Sequence, residues 1–172
     1  MTHTRTPNIQ PPVVHPKVQQ PMTNEKQDHE RIRTRERQQA AIAELGQRAL
    51  GGVDLQTLMD ETVVLLASVL DVESTEVLEL LPGGDAFRLR AGVGWGDGLA
   101  GRAVAARDAG KESQAGYTLL TRKPVVVEDL REEGRFRASS LLVERGIISG
   151  MSVVIEGEAR PFGVLGVHSV QR

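Results

Sequence analysis

Residues 113–169 read SQAGYTLLTRKPVVVEDLREEGRFRASSLLVERGIISGMSVVIEGEARPFGVLGVHS. Ser113 is an N-cap residue type, and it opens a short helix through SQAGYTLLTRK. Lys123-Pro124 ends that helix, because proline pushes the residue before it out of the helical region. Val125-Val126-Val127 is then a buried strand run. Asp129, with Glu132 three residues on, has the spacing of a helix cap and leads a loop or short helix towards Phe136. Paired carboxylates also serve acid–base chemistry. No nucleophile or metal partner lies near these two, so they read as a cap and solvated acids. Residues 139–145 form another short helix, closed by Gly146. Residues 148–155 and 162–169 flank a turn at 156–161 and form a hairpin, apolar at nearly every position as central strands are.

Upstream, a first hairpin is written around Pro82-Gly83-Gly84-Asp85, a strong turn sequence. Its first strand, residues 74–81, sets Val77 opposite Glu76 and Leu78. Its second, residues 86–93, alternates Phe87, Leu89, Ala91 and Val93 against Arg88 and Arg90, which predicts a half-exposed antiparallel strand. Before it, Asp54 caps a core helix whose Leu55, Leu58, Met59, Thr62, Leu65, Leu66, Val69 and Leu70 recur with a period near 3.6. Gly51-Gly52 separates that helix from an earlier one over residues 24–50. The earlier helix is almost wholly charged in its first half and carries Ile42, Leu45, Ala49 and Leu50 in its second. Acids interleave with its arginines, so it reads as a solvated stalk stabilised by pairing with a second copy, rather than as an RNA-binding arm.

Residues 1–23 hold five of the eight prolines among Thr, Gln and His and bury too little to offset their ordering, which predicts a disordered tail. Three segments follow: a tail over 1–23, a signalling or dimerisation helix over 24–50 and a folded domain over 51–172. The 172-residue chain carries a net charge of −2 and no cysteine. The charge argues against a nucleic-acid or anionic-lipid surface. The missing cysteine removes disulfides, thiol catalysis and thiolate-held metal. No apolar run spans a bilayer and no signal-peptide core opens the chain, so a cytoplasmic location is expected. Gly96-Asp97-Gly98-Leu99-Ala100-Gly101 matches the dinucleotide fingerprint G-x-G-x-x-G. The strand before it is committed to an antiparallel hairpin, whereas the fingerprint needs a parallel βαβ unit, so the glycines read as a mobile connection.

The runs AGYTLLTRKPVVVEDL, SGMSVVI and PFGVLGVHS, with RF ahead of LL and RG, closely resemble the second half of a bacterial GAF domain of the kind found in sensor kinases and cyclic-nucleotide-signalling regulators. The resemblance extends from about Arg37 to Arg172 and is specific over Ser113–Ser169. It implies an α/β (α+β), PAS-like fold: a central antiparallel sheet with dimerising helices on one face and a ligand pocket under loops on the other. It implies a non-catalytic sensory module of signal transduction, homodimeric through its N-terminal helix, binding a small ligand. The family's terminal helix and output domain do not follow residue 172, so the chain reads as truncated, the alternative being a fragment of a sensor histidine kinase or cyclic-dinucleotide enzyme.

Departures from the family narrow the chemistry. The N-K, F and D-E signature of cyclic-nucleotide-binding members cannot be laid on this chain. Bilin-binding members attach their pigment through cysteine, so no covalent bilin is expected. Methionine-sulfoxide reductases of this fold also require cysteine. Haem held through histidine would fall to His168, which reads better as a packed strand residue. The pocket is expected between the sheet and residues 92–101 and 113–123, with Trp95, Tyr117, Leu120, Met151 and His168 as candidate ligand contacts and no metal ligands or catalytic residues.

Overall fold

The computed structural model describes residues 24–96 and 112–172. The expected tail, residues 1–23, and most of the expected glycine-rich connection, residues 97–101, lie outside the described residues. Along the chain the elements are α1 (Asn24–Leu50), α2 (Leu55–Leu70), β1 (Ser74–Leu80), β2 (Phe87–Val93), α3 (Gln114–Thr121), β3 (Val125–Val127), α4 (Ser140–Glu144), β4 (Ser149–Ile155) and β5 (Gly163–Ser169). The strands form one antiparallel sheet in the order β2-β1-β5-β4-β3. Two hairpins supply four strands, and β1–β5 pairing joins them. At the first hairpin's turn Gly84 takes a left-handed φ of +72° and its N–H reaches the Leu81 carbonyl.

Helices α2, α3 and α4 each begin directly after a capping side chain. The carboxylate of Asp54 accepts from the Thr57 N–H at 3.0 Å, and the hydroxyls of Ser113 and Ser139 accept from the Gly116 and Leu142 N–H groups. The expected loop or short helix after Asp129 is a loop, closed by the Asp129 carboxylate on the backbone N–H of Arg131 and by the Glu132 N–H on the Asp129 carbonyl.

Two apolar cores lie on opposite faces of the sheet. On one face α2 lays Met59 and Val63 against Val77 and Ala91, with Val93, Phe162 and Leu165 at the margin. On the other, Phe87, Leu89, Leu78 and Val164 pack beneath Leu130, Phe136 and Leu142. The long helices share the first face; the short helices α3 and α4 join the loops on the second.

The strict alternation read for residues 86–93 does not survive. Register slips by one residue between Val77, which pairs with Ala91, and Leu78, which pairs with Leu89, leaving Arg90 as the extra residue of a β-bulge. Phe87 and Leu89 therefore face one core, and Ala91 and Val93 the other. Arg90 turns to the helical side. Its guanidinium donates to the side-chain oxygen of Gln56 on α2 and pairs with Glu79, while the Gln56 amide donates to the Arg90 carbonyl.

The helical stripes shift too. In α2 Val63 is buried and Leu55 is exposed, because the helix lies between the sheet and α1 and divides its apolar residues between two neighbours. In α1 the covered line is Gln38, Ala41 and Leu45, whereas Ile42 is 71% exposed and Leu50 fully out. Residues 28–37 of α1 are exposed throughout.

Candidate functional site

A cavity of about 140 Å³ sits on the face of the sheet opposite α1 and α2. Its floor comes from three neighbouring strands. In register, Glu76 on β1 stands beside Gly166 on β5, and Gly166 beside Ser152 on β4. A carboxylate and a hydroxyl therefore flank a position with no side chain. A methyl group on Gly166 would come within 3.0 Å of His168 Nε2 and 3.1 Å of Glu76 Cγ, so glycine keeps this part of the floor open. The first residues of α3 and α4 form the roof, and Trp95 and Phe87 close one side.

His168 points to the same face two residues further along β5 and is 3% exposed. Its Nε2 lies 3.3 Å from Glu76 Oε1. An Nε2–H tautomer donates to that carboxylate and leaves Nδ1 an acceptor. Nδ1 is buried without a hydrogen-bond partner. Gly150, its neighbour on β4, makes room for the ring: a methyl there would sit 2.7 Å from Nδ1. Trp95 meets the imidazole edge-on, with ring centroids 5.6 Å apart at 81°.

Trp95 is itself tightly held. Its indole N–H donates to the Thr75 carbonyl at 2.8 Å, and the ring lies over Gly92. The backbone around it turns on Gly94 (φ +81°), where a methyl group would strike the Glu73 carbonyl. Arg145, at the end of α4, donates to the carbonyls of both Gly94 and Trp95 and so ties the roof to this wall. On the opposite side the Gln114 amide donates to Ser152 Oγ at 3.1 Å. Ser152 and Thr118 hydroxyls share a hydrogen bond of 2.7 Å, and Thr118 donates to the Gln114 carbonyl. All three are buried.

Of the expected contacts, Trp95 and His168 line the cavity and touch each other. The other three do not line it. Tyr117 packs into the core against Phe136, with Arg135 over its ring. Leu120 is exposed on the outer side of α3. Met151 precedes Ser152 and so points to the opposite face, beside Val126 and Val167. Glu76, Ser152, Gln114 and Thr118 were not foreseen. Their signal was a polar residue inside an otherwise apolar strand or helix start, paired with glycines at same-face positions.

Two carboxylates of the 128–136 loop, Asp129 and Glu133, are taken up in holding it. Arg131 chelates the Asp129 carboxylate and holds it down at about 2 from an ordinary 3.8. Arg135 does the same to Glu133, whose carboxyl is also lowered, while a second guanidinium bond reaches the Val126 carbonyl. Among the described residues no group of three or more metal-ligating side chains converges. No helix among them is long and apolar enough to cross a membrane.

A family profile described as "GAF domain" matches residues 54–172. A search of curated proteins returns no match. Among solved structures, the chain is similar to the GAF domain of a phosphoenolpyruvate-protein phosphotransferase from Coxiella burnetii, at 14% identity and a TM-score of 0.66, over 77% of each chain. It is similar to the corresponding domain from Acinetobacter, at 19% identity and a TM-score of 0.62, over 78% of this chain and 77% of that one. It is also similar to the free methionine-R-sulfoxide reductase of Neisseria meningitidis, solved with its substrate, at 16% identity and a TM-score of 0.60, over 76% of this chain and 72% of that one. At these identities the likeness is one of fold.

Proposed function

Because the chain belongs to the GAF domain family, whose members are sensory and regulatory modules, we propose that it is a ligand-sensing module with no chemistry of its own. The observation that carries this reading is the cavity. Polar side chains converge on it from three strands and one helix, namely Glu76, Ser152, His168 and Gln114, within an otherwise apolar interior. A concave, mostly apolar site with a few convergent polar groups is where small ligands bind. A sulfoxide reductase built on this fold would need thiols, and the chain contains none.

The module acts as a homodimer through α1. Nothing covers residues 28–37 of that helix, and Ile32 and Ile42 are presented to solvent. A helix exposed all round is stabilised by pairing along its length. Trp95 is the chain's single tryptophan, so its emission reports the cavity directly. Screening small molecules by that emission tests the sensing role, and sedimentation at tens of micromolar tests the dimer. A monomer unchanged by Ile42→Asp and Leu45→Asp removes the dimer, and Trp95 emission insensitive to every compound removes the sensor.

A further inference from the structure

The walls of the cavity also say what charge its occupant carries. Among the described residues lining it, Glu76 is the one acidic side chain, and none is lysine or arginine. One carboxylate oxygen faces His168; no described residue donates to the other. The remaining polar lining is serine hydroxyls, the Gln114 amide and His168. His168 Nε2 faces Glu76, while its Nδ1 is buried on the Gly150 side of the ring and offers the occupant nothing. Among the described lining residues, an anion placed here would meet a carboxylate with no guanidinium or ammonium to offset it. The helix ends in the roof do not supply the missing positive charge freely, since Ser113 and Ser139 already cap them. The aromatic wall of Trp95 and Phe87 is compatible with a cation and gives nothing to an anion.

We propose that the cavity takes a small nitrogen-headed cation, an ammonium or guanidinium compound, with its N–H groups on the Glu76 carboxylate. The inference rests on the sensing role given above and adds the ligand's class. Size limits it further. A cavity near 150 Å³ holds a benzene-sized molecule, so an occupant of about six heavy atoms fits. Gly166 and Ser152 lie beside Glu76 in the strand register and leave the floor open for the rest of it.

The test uses the full chain with methylguanidinium, its neutral isostere methylurea, propionate and inorganic phosphate. Trp95 emission and the unfolding temperature are the two readouts. Methylguanidinium is expected to shift both saturably, with affinity about tenfold or more above methylurea, the size of one charge-assisted hydrogen bond. Glu76→Gln is expected to erase that preference. If the variant does not fold, the cation-to-isostere ratio in the unaltered chain still decides. Equal affinity for methylguanidinium and methylurea overturns the proposal, as does tighter binding of propionate or phosphate; either leaves the cavity a ligand site. Trp95 emission and stability unmoved by all four probes overturns the proposal; the sensing role falls only with the wider screen.

Discussion

The two faces of the sheet are built from the same strands and do opposite things. The face under α2 is closed: Met59, Val63, Val77 and Ala91 interlock, and the polar groups near it are spent on fastening the helix. The other face carries the larger apolar cluster, yet it contains a cavity, a carboxylate, an imidazole and three hydrogen-bonded polar side chains. The difference is made by glycines. Gly150 and Gly166 leave gaps on the second face where side chains would otherwise interdigitate. One face is packed shut, and the other keeps the cavity that the proposed sensing role would use.

The largest effect should come from emptying each face in turn. Phe87→Ala on the cavity side should cost about 3–5 kcal/mol, and Met59→Ala on the helical side about 2–5 kcal/mol. Denaturant midpoints with unchanged slopes would measure both. The comparison predicts that only Phe87→Ala widens the ligand range, admitting molecules larger than the original cavity takes. If Met59→Ala changed ligand binding as much, the division of labour would be broken.

Thr75 touches both faces and offers a sharper cut. Its hydroxyl donates to the Val63 carbonyl in α2 at 2.8 Å, and its carbonyl accepts from Trp95. Thr75→Val keeps the shape and removes the hydroxyl, which should cost about 0.5–1.5 kcal/mol, the net worth of one hydrogen bond, because the Val63 carbonyl keeps its partner within the helix. The Trp95 emission maximum should stay in place, because the carbonyl contact survives. A shifted emission would mean that the two bonds are not separable.

A smaller effect on stability, but a large one on recognition, is expected of Gly166→Ala. The added methyl meets only the ends of Glu76 and His168, so stability should change by about 1 kcal/mol or less. Ligand affinity should fall about tenfold as the floor fills. Unchanged affinity would show that the glycine gap is not part of the site.

The smallest effect lies away from both faces and appears only in acid. Asp129 titrates at about 2 when folded, below its ordinary 3.8. Its stabilising contribution is therefore full above the unfolded value near 4 and fades as pH falls towards 2. Asp129→Asn should flatten the stability profile in that window and leave its shape above pH 5 unchanged. A profile equally steep in the variant would assign the acid sensitivity to other carboxylates.

Much of this was legible in the chain. Strands and helices are marked by turn and cap residues, so Asp54, Ser113 and Pro82-Gly83-Gly84-Asp85 placed them without tertiary information. The site was legible only in part. Trp95 and His168 stood out by type. Ser152 did not, because residues 148–155 read only as an apolar central strand, and its role depends on Gln114 and Thr118 arriving from another element. Tyr117 misled for the complementary reason: an aromatic on a short helix has no mark in sequence that separates core from cavity. Ile42 and Leu45 were read as one stripe. The choice between them was made by where α2 happens to lie.

The extra residue in β2 has a consequence of its own. Counted along the sequence, Phe87, Leu89, Ala91 and Val93 keep perfect even spacing, so nothing in their periodicity records that the chain changes sides at Arg90. Parity is a local property of a strand, and a single inserted position inverts it for everything downstream. Here that inversion lets one seven-residue strand feed both hydrophobic interiors, two residues to each. Pairing Arg90 in register, without the bulge, would restore uniform parity and send Ala91 and Val93 to the side where Phe87 and Leu89 already stand. Met59 and Val63 would then face Arg90 and Gly92 in place of Ala91 and Val93.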